Sequence, residues 1–449
     1  MNLKLRSICI AVGFASTSPV ASADDLLQIY QQALDKDPIL LQARANRDAA
    51  YQVIGQSRAS LLPQLNAALT YSNTFQNDLS PESETDLWQG TFRLDQSIYD
   101  HANYVNLDLS KQAAARAELQ FTQAEQTLIV RVASAYFDVL SAQDNLDFVR
   151  ANKRAIERQL EQTKQRFAVG LTAITDVHEA QAQYDLASAD EISAENSLEN
   201  SLEALREITG LTHSDLSILD TERFSPSQPT PNRHEQWLDI AEESSLQLLI
   251  NRLSVEIAKE QISLAKTGHL PSIGLSASYS DNFGLDANKF NGLDNYNQGT
   301  VAVQLNVPIF SGLGVSSLVK EAQANYVGAQ QLLEENYRAV VRNTRASLNN
   351  VNSALSSIRA FEQSVVSAES ALKATEASFE VGTRTIVDVL DSTRQLYQAK
   401  QRLADARYNY ILSILTLKQA AGTLAPGDVE LINAGLRRAT AADKDGDRK

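Results

Sequence analysis

No proline interrupts the chain between Pro81 and Pro226, or between Pro308 and Pro426. In both spans apolar residues recur every seven positions. The first carries Val132, Val139, Leu146, Lys153, Leu160 and Phe167, with Phe121, Leu128, Ala135, Ala142, Val149 and Ile156 as a companion series. The second carries Tyr337, Thr344, Val351, Ile358, Val365, Leu372 and Phe379, accompanied by Val341, Leu348 and Leu355. A sustained 3.5-residue seam without the main helix breaker reads as long helices in left-handed coiled coils. Helices starting just after Asp100 and Phe310 and ending near Phe167 and Phe379 would each approach about 100 Å at about 1.5 Å per residue. They are rods, not elements of a globular core.

Each rod ends in nearly the same phrase, "AVGLTAITDVHE" (168–179) and "EVGTRTIVDVLD" (380–391), so that Gly170 and Gly382, Ile174 and Ile386, and Asp176 and Asp388 correspond. A glycine just past the last seam residue, followed by a helix-starting Thr or Asp, predicts a helical hairpin turn. The hairpins then span 101–210 and 311–422, closing at "ITG" and "AAG".

Ahead of each hairpin, "LLPQLNAALTYSN" (61–73) matches "HLPSIGLSASYSD" (269–281), and "QGTFRLDQSIYD" parallels "QGTVAVQLNVPIF". These segments alternate. Leu65, Ala67, Leu69 and Tyr71 share one face, as do Phe92, Leu94, Gln96 and Ile98, then Ile273, Leu275, Ala277 and Tyr279, then Val301, Val303, Leu305 and Val307. Strands are predicted at about 63–73, 89–98, 271–280 and 299–309. Alternation alone fits transmembrane β-strands or soluble hairpins half-buried on helices. The long polar links between paired strands favour extracellular loops.

The chain is thus a tandem duplication of helix, two strands and helical hairpin. The first repeat covers 24–224, the linker 225–232 ("SPSQPTPN"), and the second repeat 233–424. A segment at 425–449 follows, its tail from about Arg437 expected to be disordered. Residues 1–23 read as a secretory signal: Lys4 and Arg6, the apolar "ICIAVGFAS", then the small-residue site "ASA". The only cysteine, Cys9, lies inside it, so a processed chain would be stabilised by packing or oligomerisation instead of disulfides. Cys9 lacks the small-residue context expected of a lipid anchor.

Lys and Arg number 40 against 55 Asp and Glu, a net charge of −15, which argues against nucleic acid as partner. The five histidines, His101, His178, His213, His234 and His269, show no metal-ligand spacing. No nucleophile elbow, P-loop or dinucleotide fingerprint occurs. No enzyme, metal site or cofactor is expected.

Four strands cannot close a membrane barrel, and unpaired edges are costly in lipid, so further copies must complete the sheet. Two copies would give a side-chain-filled barrel, three a bore. "RFAVGLTAITDV", "VGTRTIVDVLD" and "ARYNYILSILTLKQAAGTL" (406–424) resemble the TolC family of outer-membrane exit channels over essentially the whole chain to about residue 436. The resemblance implies a mixed α/β membrane protein. Its homotrimer forms a 12-stranded β-barrel in outer-membrane lipid, continued by an α-helical coiled-coil tunnel in the periplasm of a Gram-negative bacterium. It implies a role in tripartite efflux and type I secretion, with a periplasmic adaptor (membrane fusion) protein and an inner-membrane transporter as partners.

Asp388 and Asp391, three apart on one helix face, read by themselves as acids complementing a helix N-terminus. The resemblance instead makes them the acidic rings of the tunnel constriction. It likewise makes Arg384, Asp176 and Thr175, with Gln159 and Glu376, the polar links holding the tip closed. At Phe379 the family has a tyrosine whose hydroxyl joins that network, so closure here is expected to lean on Arg384. The two tips also differ: Thr172 and Glu179 stand where the second has Arg384 and Asp391. Trp88, Tyr71, Tyr279, Tyr99 and Phe310 near strand ends fit an aromatic belt or ordinary strand positions. The competing class is an exported coiled-coil structural or adaptor protein without a pore, which leaves the duplicated alternating segments unexplained.

Overall fold

Caps and breaks delimit several of the long elements. The computed structural model describes residues 24–76, 83–213, 215–284 and 296–439. The expected signal at 1–23 and the tail beyond residue 439 lie outside them. Helices α1 (Leu26–Lys36) and α2 (Pro38–Ala59) meet at Asp37. Its buried carboxylate accepts from the Leu40 N–H at 2.9 Å and from Arg131 at 3.1 Å, capping α2 and anchoring it to the first rod. Strands β1 (Gln64–Gln76) and β2 (Ser83–Tyr99) follow. Then come α3 (His101–Ala168), 68 residues long, and α4 (Ile174–Thr209).

After the short β3 (Ile218–Leu219) the order repeats: α5 (His234–Ser244), α6 (Leu246–Thr267), β4 (Ser272–Gly284), β5 (Tyr296–Asn306), α7 (Gly314–Glu380) and α8 (Ile386–Ala421). Helix α9 (Pro426–Asn433) and β6 (Leu436–Arg437) complete the described chain.

The four long strands form one antiparallel sheet in the order β1-β2-β4-β5, so the two repeats join through β2 and β4. Directly paired residues share a face. Leu65 pairs with Leu94, Ala67 with Phe92, Leu94 with Ala277, and Ala277 with Val301. One face is therefore apolar across all four strands. The other carries Asn66, Thr70, Arg93, Asp95, Ser276, Ser278 and Gln304. Nothing among the described residues covers the apolar face: Leu65 is 70% exposed, Val301 76% and Val303 67%. Among the described residues, the outer edges of β1 and β5 have no strand neighbour. Among the described residues no helix is long and apolar enough to cross a membrane.

Several boundaries differ from expectation. A bulge between Ser97 and Tyr99 puts Tyr99, not Ile98, opposite Ile273, so the apolar alternation slips by one residue there. Strand β2 begins at Ser83 and β5 stops at Asn306, short of Pro308, which has no N–H to give a ladder. Helix α7 starts at Gly314 because Gly312 and Leu313 adopt positive φ of 60° and 65°. Arg437, expected within the disordered tail, is instead in β6, where it pairs with Ile218.

The main core lies where the repeats meet. Tyr136 packs edge-on to Phe137, which stacks on Tyr408 with ring centroids 5.5 Å apart. The hydroxyls of both tyrosines donate, Tyr136 to the Ser217 carbonyl at 2.5 Å and Tyr408 to the buried Asp144 carboxylate at 2.6 Å. The linker is held as well, since Tyr410 Oη accepts from the Ser227 N–H and donates to its carbonyl. Trp237 is buried and donates to the Pro231 carbonyl.

Candidate functional site

The hairpins α3/α4 and α7/α8 turn at Gly170 and Gly382, with φ of 77° and 79°. In each, the glycine N–H reaches back to the seam phenylalanine carbonyl, Gly170 to Phe167 at 2.9 Å and Gly382 to Phe379 at 3.0 Å. The next N–H closes the outer ring, Leu171 to Arg166 at 2.8 Å and Thr383 to Ser378 at 3.0 Å. Only a residue at ease in the left-handed region allows this reversal in one step. The duplicated phrase is thus the tip of each rod pair.

The tips are joined by a small cluster remote from the main core. Ile156 and Ala187 of the first hairpin pack with Ile386 and Leu390 of the second, flanked by Tyr184 and Phe379. Above the Phe379 ring lies the Arg166 guanidinium, 4.7 Å from the centroid. The ring of one hairpin thus lies beneath a cation from the other. This contact carries no signal in the sequence, because the partners lie on different hairpins.

The acids have local partners. Asp388 closes a capping box on α8: its carboxylate accepts from the Thr385 N–H and hydroxyl, both at 2.8 Å, and Thr385 Oγ1 accepts from the Asp388 N–H at 3.3 Å. Those bonds, with Arg384 Nη1 at 3.5 Å, hold the carboxyl below the usual aspartate range. Asp391 lies 2.6 Å from Arg394 Nη2. On the first tip, Asp176 accepts from the Thr172 hydroxyl and Glu179 from the Gln183 amide at 3.3 Å. The spacings Thr385-x-x-Asp388 and Asp391-x-x-Arg394 could have disclosed two of these contacts.

Within one chain, then, Arg384 meets Asp388, while Asp176 takes its hydrogen bond from Thr172. Thr175 and Glu376 are exposed. Gln159 and Glu376 share no hydrogen bond, and the buried Gln159 Nε2 has no partner among the described residues. Among the described residues no cluster of His, Cys, Asp and Glu could hold a metal ion. Charge, exposed turns and weak local bonds suit a surface that meets other surfaces.

Known proteins share this architecture. The model of the outer membrane efflux protein family matches residues 29–211 and 237–423. Outer membrane protein TolC of Vibrio cholerae is 49% identical over 97% of this chain and 99% of its own. TolC of Escherichia coli is 43% identical over 97% of this chain and 90% of its own. The alkaline protease secretion protein AprF of Pseudomonas aeruginosa is 30% identical over 93% and 88%. Among solved structures, the Campylobacter jejuni CmeC outer membrane channel superposes with a TM-score of 0.77 at 16% identity, over 99% of this chain and 96% of that one. That likeness speaks to the fold alone.

Proposed function

Because the chain belongs to the outer membrane efflux protein family, we infer that it is the outer-membrane exit channel of efflux and type I secretion. It is a channel and not an enzyme, and its place is the outer membrane. The observation that carries the mechanism is the four-stranded sheet: one apolar face left exposed, one polar face, and two edges without a strand neighbour among the described residues.

In lipid such edges must be paired, and three copies joined edge to edge give twelve strands around a polar bore. The apolar faces then meet outer-membrane lipid. The paired rods of three chains continue the bore as a helical tunnel. At its far end Asp388 and Asp391 line the constriction, while Arg384, Asp176, Thr175, Gln159, Glu376 and Phe379 hold the tips together. Exposed ion pairs contribute only about 0–1 kcal/mol each, so a docking partner can break them. That partner is a periplasmic adaptor acting with an inner-membrane transporter, which supplies the energy. The exposed Val169, Leu171 and Val381 at the tips give it apolar surface.

A filament or adaptor without a pore would have no use for the duplicated amphipathic strands. Single-channel recording in a planar bilayer under a salt gradient tests the reading. Discrete cation-preferring steps are expected; inserted trimers that pass no current would return the chain to a structural role.

A further inference from the structure

The acids at the two tips are neutralised differently. On the first tip, Asp176 and Glu179 are served by neutral donors, the Thr172 hydroxyl and the Gln183 amide. On the second, Asp388 and Asp391 each lie against a guanidinium, Arg384 at 3.5 Å and Arg394 at 2.6 Å. Matching the duplicated phrases puts Ala182 in the position of Arg394, so this cation belongs to one hairpin only. Both members of the Asp391–Arg394 pair are about half exposed, and a pair so hydrated adds little stability. Its consequence is in the field. Side chains three apart on a helix keep Cβ atoms about 5–6 Å apart, inside the Debye length of about 8 Å at physiological salt. A passing ion therefore meets a dipole where a lone carboxylate would present a charge, whether or not the two groups touch at that moment.

We propose that Arg394 sets the ion selectivity of the constriction. By offsetting the Asp391 carboxylate it makes the second-hairpin tip less negative than its acids alone would, which lowers the barrier to anionic solutes while leaving the tip net acidic. The proposal rests on the reading of Asp388 and Asp391 as constriction-lining residues. Arg384 is not its equivalent, because Asp388 is already bound by the Thr385 cap and Arg384 sits on the turn. Arg394 is about two turns into α8, on the acid's own helix, and stays with the acid when the tips part.

The test is the reversal potential of the full-length channel in a planar bilayer under a potassium chloride gradient. Arg394→Gln exposes one carboxylate per chain. At about 0.1 M salt it is expected to raise the potassium-to-chloride permeability ratio by roughly 3- to 10-fold. The effect should shrink toward 1 M salt, where screening falls to about 3 Å. Arg394→Lys should keep the wild-type ratio, which a purely structural role of the guanidinium fork would not preserve. If Asp391→Asn lowers the ratio while Arg394→Gln leaves it unchanged, the assignment to Arg394 is overturned. If Asp388→Asn and Asp391→Asn also leave it unchanged, the constriction reading itself fails, and the proposal with it.

Discussion

The Gly422 backbone runs so close to that of Ser244 that a Cβ on Gly422 would lie 2.1 Å from the Ser244 carbonyl oxygen. Here α8 ends against the start of α6, the junction that brings the second hairpin onto the strand-bearing helix. Gly422 also has φ of 76°, which costs a residue with a side chain about 1–2 kcal/mol by itself. Gly422→Ala is expected to cost more than about 3 kcal/mol, because backbone on both sides must move. Its counterpart Gly210 has φ of 68° with nothing within 4 Å, so Gly210→Ala should show the conformational cost alone. Denaturant midpoints followed by circular dichroism separate the two; equal losses would mean the close approach is unimportant.

Phe379 is the ring between the hairpins, flanking Ile386 and Leu390 with the Arg166 guanidinium above it. Phe379→Ala should loosen the tips and increase resting conductance. Arg166→Gln should do so less, since a partly exposed cation–π contact contributes about 0.5–1 kcal/mol. Resting currents indistinguishable from wild type in Phe379→Ala would remove the ring from the closing contacts.

Among the described residues Arg384 is tied by a 3.5 Å contact to Asp388, between partly exposed groups. Such a contact leaves the guanidinium available to an acid of a neighbouring hairpin. Arg384→Ser should raise single-channel conductance while changing unfolding stability by no more than about 0.5 kcal/mol. An unchanged conductance would sink its role in closure.

Asp147 lies in α3 facing the main core, and burial raises its pKa to about 6 despite the Gln143 hydrogen bond and the nearby Arg150 and Arg154. A carboxyl whose folded pKa lies above its unfolded value favours folding when protonated. Its contribution is complete below pH of about 4 and is lost as pH rises through about 6, by at most about 3 kcal/mol. Asp147→Asn should remove that slope and be the more stable form at pH of about 7. Parallel stability–pH curves for the two proteins would contradict this.

Neighbouring residues on β5 test the sheet. Val303 is on the exposed apolar face and Ala302 on the opposite one. A lysine on a lipid-facing position near the bilayer centre costs about 2–4 kcal/mol, and far less on the lumen side. Val303→Lys should therefore reduce the heat-resistant membrane-inserted oligomer on gels, and Ala302→Lys should not. Equal yields would argue against lipid on that face.

The rods were legible in the sequence because a heptad seam and an absence of proline are local properties of the chain, and the glycine at each tip marks where that seam must reverse. The two amphipathic strands per repeat were legible for the same reason, as a period of two. The bulge at Ile98 was not, because the letters keep alternating through it and only the cross-strand partner Ile273 reveals the slip. Strand order was decided by the tertiary structure, since nothing in β2 names β4 as its neighbour across nearly two hundred residues. Arg437 looked like part of a charged tail until β3 offered it an edge. At the tips, the acids could be read from the duplicated phrase, and Asp391 with Arg394 lay within reach of helical spacing. Phe379 beneath Arg166 could not be read, because that contact exists only once two separate hairpins are laid side by side. Periodicity is written along the chain and determines which elements form; the choice of partner depends on which surfaces can be covered together, and that is settled only in three dimensions.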